Sequence, residues 1–439
     1  MRWPSLLGRL ARGGAVMLPL MLGGMGSAAA QQDAAVLDAL GLSGNGGAEG
    51  ADASRPEGAG ADRPARPEID WGGVLQYRAV ASRPGDEDHA GYASMATLRL
   101  TSEATYGALR GVAHVNVEDW RTSRPWLMQS LVENQGQADR IRSLTLRERD
   151  GKSLQSMGMD WLYAQASFSR ARVTVGRQPV SLTLSRLWSP ADTYAPFLPG
   201  DVERLYKAGV DAARLDYYVT DRVSTQSIVS ASQDSGGATR AKWLQRIEYG
   251  GETSKSFFSV GQRRNCDLAA AGALVTGVAD VDWYGEGLAF RGRDSRADSC
   301  SRTGQDSGQD NERGGWGHRV VLGASRKLAP NTIGTLEYLH QTPVSRQADL
   351  PWLGSGRQYL GASISYQAHP LVHVDGLWFA NLTDHGQQLT LAMRYTPQRN
   401  VVLRASVAGP LTGTGRRNGV ASEYWRQGRV AQLGLDWYF

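Results

Sequence analysis

From residue 68 onward the chain repeats one kind of unit, about ten residues of strict alternation closed by turn residues. Leu109, Gly111, Ala113, Val115 and Val117 interleave with Arg110, His114, Asn116 and Glu118, and Ala96, Leu98 and Leu100 with Thr97, Arg99 and Thr101. Later, Leu360, Ala362, Ile364 and Tyr366 alternate with Tyr359, Gly361, Ser363 and Ser365, and Val401, Leu403, Ala405 and Val407 with Val402, Arg404, Ser406 and Ala408. A two-residue period places each set on one face of a β-strand. The closing segment VAQLGLDWYF alternates in the same way and ends on Phe439. A terminal strand is an unprotected edge unless something pairs with it, and the first strand near Trp71 to Ala81 has the same need.

Eighteen such strands can be counted, at 70–81, 92–105, 107–119, 157–169, 171–182, 209–219, 222–232, 240–250, 254–264, 269–279, 282–293, 316–328, 331–343, 356–368, 370–381, 386–396, 400–410 and 427–438. A soluble β-sandwich shares the period, so the joins decide. Tight turns such as Tyr106-Gly107, Ser169-Arg170, Ala329-Pro330 and His369-Pro370 alternate with longer connections, including Trp120 to Ser156, Thr183 to Ala208, Asp294 to Gly315 and Leu411 to Arg426. Short turns on one rim and long loops on the other predict an all-β fold: a transmembrane antiparallel β-barrel of about eighteen strands with short periplasmic turns and long extracellular loops. In lipid every backbone group must be paired within the protein, so the sheet must close, last strand on first.

The amino-terminal segment supports that destination. MRWPSLLGRLARGG is basic, AVMLPLMLGGMG is an apolar core, and Ala28 and Ala30 are small. The order predicts a signal peptide over 1–30, followed by a Gly-, Ala- and Pro-rich periplasmic spacer over 31–67 and the barrel over 68–439, in the outer membrane of a Gram-negative cell. The formal charge of +5 loses Arg2, Arg9 and Arg12 with the leader and falls to about +2, which gives no basic stripe for nucleic acid. Beyond the leader no apolar run reaches the ~20 residues of a membrane-spanning helix. The expected partners are membrane lipid and small hydrophilic solutes or polysaccharide in the lumen; a terminal Phe on an apolar alternation also resembles the carboxy-terminal signature of bacterial outer-membrane proteins, which implies the barrel-assembly machinery as a partner of the strand ending at Phe439.

On these registers the lumen carries Arg99, Arg110, Arg214, Arg246, Arg319, Lys327, Arg394 and Arg404 against Glu103, Glu118, Asp216, Glu248, Glu337 and Asp436, a slight cationic surplus. The most distinctive stretch is VTVGRQPVSLTLSRLWSPADTYAPFLPGDVERLYKAGVDAARLDYY, residues 173–218. A strand with Gly176-Arg177-Gln178 enters a loop stiffened by Pro190, Pro196 and Pro199, passes Asp201, Glu203, Arg204 and Lys207, and regains a strand with Asp211, Arg214 and Asp216. A stiff loop bearing both signs of charge is predicted to fold inward and narrow the pore. This GRQ strand, Trp-containing loop and G-V-D-A-x-R strand resemble the corresponding segment of bacterial outer-membrane porin-like proteins of the alginate-export type. The resemblance implies that Arg177, Arg204, Lys207, Asp211 and Arg214 line the pore.

Cys266 and Cys300, the two cysteines of the chain, flank one hairpin and in an oxidising compartment are expected to form a disulfide. His369 and His373 would lie about 13 Å apart on an extended chain and so cannot share a metal ion. No nucleophile elbow, zinc motif or phosphate loop occurs. Neither a catalytic residue nor a cofactor is expected. The leading expectation is a passive channel for hydrophilic, anionic or saccharide solutes. An alginate-like export conduit is the first alternative, and a barrel enzyme drawing on His114, His340 or Ser406 is the second.

Overall fold

A computed structural model describes residues 66–439 except 86–88, 134–139, 141–143, 198–205, 234–238, 264–265, 293–299, 301–315, 344–352, 412–415 and 418–419. The expected signal peptide (1–30) and all but the end of the expected spacer (31–67) lie outside the described residues.

The chain forms one closed antiparallel β-barrel of eighteen wall strands. In chain order these are β1 (Glu68–Arg83), β2 (Gly91–Tyr106), β3 (Leu109–Thr122), β5 (Ser153–Ser167), β6 (Ala171–Gln178), β7 (Val210–Tyr218), β8 (Val223–Gln233), β9 (Thr239–Gly250) and β10 (Ser254–Arg263), then β11 (Cys266–Val278), β12 (Val281–Gly292), β13 (Trp316–Ala329), β14 (Thr332–Gln341), β15 (Gln358–His369), β16 (Val372–Asn381), β17 (Gln387–Gln398), β18 (Val401–Pro410) and β21 (Arg429–Tyr438). Each pairs with its chain neighbour, and β21 pairs with β1 from Val74↔Tyr438 to Arg83↔Arg429. The closure runs to the last residue: Gly73 N–H donates to Phe439 O at 2.9 Å and Phe439 N–H to Gly73 O at 3.0 Å. No free edge remains at the seam, as a lipid environment requires.

Outward positions carry an apolar band, with Leu75, Leu100, Ile247, Phe258, Leu322, Leu336, Leu391 and Leu433 exposed. Toward the short-turn end a ring of exposed aromatics succeeds it, including Trp71, Tyr106, Tyr217, Tyr249, Trp283, Tyr366, Tyr395 and Trp437. Aromatic girdles of this kind sit at the membrane–water boundary because their rings are apolar in body and polar at one edge. The β11–β12 turn holds Ala279 and Asp280 at φ of 56° and 59°, the mirror-image turn whose twist suits a two-residue hairpin.

Several elements depart from the sequence expectation. Between β3 and β5 the chain forms a helix, α1 (Pro125–Glu133), and a short strand, β4 (Thr145–Arg149), where only a long loop is expected. β4 pairs with the upper half of β5, Arg149↔Leu154 to Thr145↔Gly158, while β6 takes the lower half, Leu162↔Arg177 to Ser167↔Arg172. The wall strand β6 therefore ends at Gln178 rather than at residue 182, because Pro179 has no N–H to continue the ladder. Cys266 opens β11 instead of lying in a loop, and it is joined to Cys300 with Cα atoms 5.7 Å apart. Before β21 come two two-residue strands, β19 (Arg416–Arg417) and β20 (Val420–Ala421), and α2 (Glu423–Gln427), capped by the Ser422 hydroxyl.

Candidate functional site: a strap across the lumen

At Pro179 the chain leaves the wall and enters the barrel, returning at Val210. Its outgoing limb packs Val180 and Leu182 against Ile228 of β8 and Leu244 of β9, and Arg246 Nη1 donates to Leu182 O at 2.8 Å. The limb then crosses the inner faces of β10 to β16. Leu184 and Ala191 meet Phe257, Leu288 and Phe290; Leu187 and Trp188 meet Val321, Leu339, Tyr359 and Phe379. The Trp188 indole, 2% exposed, lies 5.3 Å from the Phe379 ring and 6.1 Å from Tyr359. It fits because position 361 is glycine: a Cβ there would come within 2.6 Å of the indole.

Two carboxylates of the wall hold the turn of this strap. Glu286 of β12 accepts from Thr183 Oγ1 at 2.7 Å and from the N–H groups of Leu184 (2.6 Å), Ser185 (3.3 Å) and Ala191 (3.3 Å). Glu337 of β14 accepts from the N–H groups of Arg186 (2.7 Å), Leu187 (3.0 Å) and Trp188 (3.1 Å) and from the Tyr284 hydroxyl at 2.7 Å. Successive amides converging on one anion make a nest, so each carboxylate satisfies backbone donors that a loop inside a barrel could not otherwise pair. The Arg186 side chain points away from the nest to Ser325 Oγ at 2.6 Å and Asp282 at 3.6 Å.

The return limb is fixed at the opposite side. Lys207 is ion-paired with Asp192 of the same strap, and its carbonyl accepts from Trp161 Nε1 at 2.8 Å. Tyr206 lies under the Arg99 guanidinium, 3.9 Å from ring centroid to Cζ. Arg99 in turn donates to Asp160 at 3.0 Å, and Arg140 donates to the other oxygen of that carboxylate at 2.8 Å. Burial pushes the Arg140 guanidinium below its ordinary value, with Asp160 acting in the other direction. Asp160 is available to both because a bulge between β3 and β5 leaves it outside the register.

The residues expected to line the pore are thus distributed among different roles. Arg177 is 2% exposed, shares the strand parity of outward Val173 and Val175, and is held bidentately by Asp211 at 2.8 and 2.9 Å, with a further bond to Met159 O at 3.0 Å. Both residues are wall components at the point where β6 ends, which corrects the lumen-lining expectation for this pair. Lys207 is neutralised within the strap. Arg214 faces inward beside Asp216 at 2.8 Å, and Arg246 is bonded to Glu248 and covered by Phe257. Arg319 faces inward yet is 1% exposed, near the Phe290 ring. Arg204 lies outside the described residues.

At the long-loop end the inner faces of β1, β2 and β3 are covered by α1, whose Leu127 packs on Val80 and Ala93 and whose Met128 packs on Trp120 and Leu154; a second group of charges lies on the inner faces of β17, β18, β21 and β1. Here Asp436 is flanked by Arg78 at 2.6 Å and Arg404 at 2.5 Å, two guanidiniums on one buried carboxylate. Arg394 is half-buried and opposite Arg404 in register. Arg110, with 42% of its side chain exposed, bridges to Glu103 at 2.6 and 2.7 Å. Arg78, absent from the sequence reckoning of the lumen, completes the cationic side. Its alternation with outward Tyr77 and Ala79 is the signal that could have identified it.

The groups considered for catalysis are not brought together. His114 stacks on Trp161, whereas His340 sits on the outward parity of β14 against His318, and Ser406 lies on β18. His369 and His373 belong to successive strands on either side of a turn rather than to one extended run. Among the described residues no three His, Cys, Asp or Glu side chains cluster as metal ligands.

No family model and no curated protein matches the sequence. Solved structures do match it. OccAB1 of Acinetobacter baumannii superposes with a TM-score of 0.54 at 12% identity over 84% of this chain and 96% of its own. OccAB3 of the same organism gives 0.53 at 10% over 85% and 99%, and OpdK of Pseudomonas aeruginosa, solved with vanillate, gives 0.51 at 13% over 84% and 98%. At such identities the likeness is one of fold: this is the eighteen-strand barrel of outer-membrane porins, and the protein resides in the bacterial outer membrane. Nothing in these likenesses supports the alginate-export resemblance.

Proposed function

We propose that the protein is a passive channel for small hydrophilic solutes, with a preference for organic anions, whose aperture is set by the strap seen in residues 179–197 and 206–209. The observation that carries this reading is the pinning of the strap by Glu286 and Glu337, which narrows the barrel while leaving an arginine-bearing arc beside it. An eighteen-strand barrel without an internal obstruction is a wide aqueous pore, and a fixed internal segment turns it into a selective one. Beside the strap the buried Arg78 and Arg404 share a single carboxylate, and the half-buried Arg394 stands next to them. The local surplus of positive charge favours anions. OpdK, similar in fold, was crystallised with vanillate, an aromatic carboxylate. A polymer conduit would need the strap displaced, and the bonds that hold it oppose that.

The test is the reversal potential of single channels in a planar bilayer under a salt gradient. The wild-type channel is expected to prefer anions, and Arg394→Gln together with Arg110→Gln, both on partly exposed side chains, is expected to reduce that preference by about half or more. Identical reversal potentials would remove the arc from the permeation path.

A further inference from the structure

The outer wall carries a feature that a channel does not need. Around the seam where β21 closes on β1, the outward positions are small: Ala79 and Ala81 on β1, Ala405 on β18 and Ala431 on β21. Leu391 and Met393 of β17 stand higher alongside, so the lipid-facing surface is hollowed into a groove. Two hollows of about 620 and 480 Å³ share Ala81, Leu391 and Ala431 and are continuous along the strands.

The groove is apolar until its long-loop end, where Arg83 and Arg429 line it. The two are direct register partners on the outward face, and both are exposed. Neither makes an ion pair among the described residues. Like charges directly opposite on one face of an antiparallel pair repel. The pair therefore stands in an arrangement that an anion bound between the guanidiniums would relieve, and two adjacent guanidiniums suit the bidentate geometry of phosphate. With short turns at the periplasmic side, the long-loop end lies at the headgroups of the outer leaflet.

We propose that this seam binds a phosphorylated glycolipid of the outer leaflet, with a phosphate held between Arg83 and Arg429 and an acyl chain laid in the groove over Ala81 and Ala431. Charge decides against a second copy of the chain as occupant. Two barrels meeting on this face about an axis normal to the membrane would bring both arginine pairs together at the same height, four cations with no carboxylate between them among the described residues. A phosphorylated lipid supplies the missing charge and the flexible apolar chain at once.

The experiment is native mass spectrometry of the detergent-purified, full-length protein titrated with lipid A, its dephosphorylated form, or phosphatidylethanolamine. Heat-modifiable gel mobility confirms that each variant is folded. One lipid A is expected to be retained per barrel, with the dephosphorylated form and phosphatidylethanolamine at least tenfold weaker. R83Q/R429Q should lose about tenfold or more in lipid A affinity. Filling the groove by Ala431→Phe, or by the milder Ala405→Leu should the former not fold, should weaken retention with the arginines intact. Equal affinity of R83Q/R429Q and wild type, or indifference to the phosphates, would overturn the proposal. So would a multimer that the groove-filling variant converts to a monomer, since the groove would then be a contact between copies.

Discussion

Glu286 and Glu337 show how a side chain that looks like pore chemistry can be structural. Both face the lumen, and neither has a cation at ion-pair distance among the described residues; their partners are a hydroxyl from Thr183, the phenol of Tyr284 and six amides of the strap. Replacing either with Gln substitutes a donor NH2 for an acceptor oxygen in front of N–H groups, and each charge-assisted bond lost from a dry site costs about 1.5–3 kcal/mol. The double variant E286Q/E337Q is expected to fold as a barrel, since the wall ladder does not depend on it, and to show larger and noisier single-channel currents. Unaltered conductance would mean that other contacts suffice to hold the strap. Asp436 is the complementary case. With Arg78 and Arg404 both resting on it, Asp436→Asn would remove the carboxylate that two buried guanidiniums share, a change of about 3–5 kcal/mol. The expected outcome is a fall in the heat resistance of the folded band on a gel.

At the scale of the element, the strap is held by packing as well as by hydrogen bonds. Trp188 fills a pocket formed by Tyr359, Phe379 and the space above Gly361, and removing such an indole costs about 3–5 kcal/mol. Trp188→Ala should raise conductance and expose the strap to protease while leaving thermal unfolding of the wall nearly unchanged; a protease-resistant variant with wild-type currents would contradict this. The same element explains where sequence reading fell short. Val180 and Leu182 alternate with Ser181 and Thr183 just as Val173 and Val175 alternate with their neighbours, so the pattern extends the strand to 182, although the apolar parity switches across Pro179 and the strand ends four residues earlier. Where the strap covers the wall, the inner faces of β12 and β14 turn apolar, with Tyr284, Leu288 and Leu339 beside the two glutamates. Alternation cannot then tell lumen from lipid, and Glu286 was missed for that reason. β4 escaped because its role, occupying the part of β5 that β6 leaves unpaired, follows from the departure of the strap and not from any local pattern.

For the whole molecule, closure depends on the final residue. Phe439 completes the β1–β21 ladder through its backbone, and its ring lies where a Cβ on Gly73 would come within 2.6 Å. Deleting Phe439, or introducing Gly73→Leu to evict its ring, should lower the yield of folded barrel several-fold in refolding from urea; full yield from both would show that the seam closes without it. Alternation, turn spacing and the aromatic terminus were legible in the sequence because a barrel wall obeys local rules: a period of two, a tight turn after each outgoing strand, and no unpaired backbone in lipid. These fix the strand count, the closure and the membrane. The identity of the pore-facing arginines was not legible at the same level. Arg177 and Lys207 carry the right charge in the right segment, yet one is spent on Asp211 inside the wall and the other on Asp192 inside the strap. Which cations remain for a solute depends on where residues 179–197 and 206–209 lie across the wall, with anchors as far as 151 positions along the chain. That placement is set by two carboxylates and one indole whose partners meet only when the barrel has closed, so the tertiary structure alone decided it.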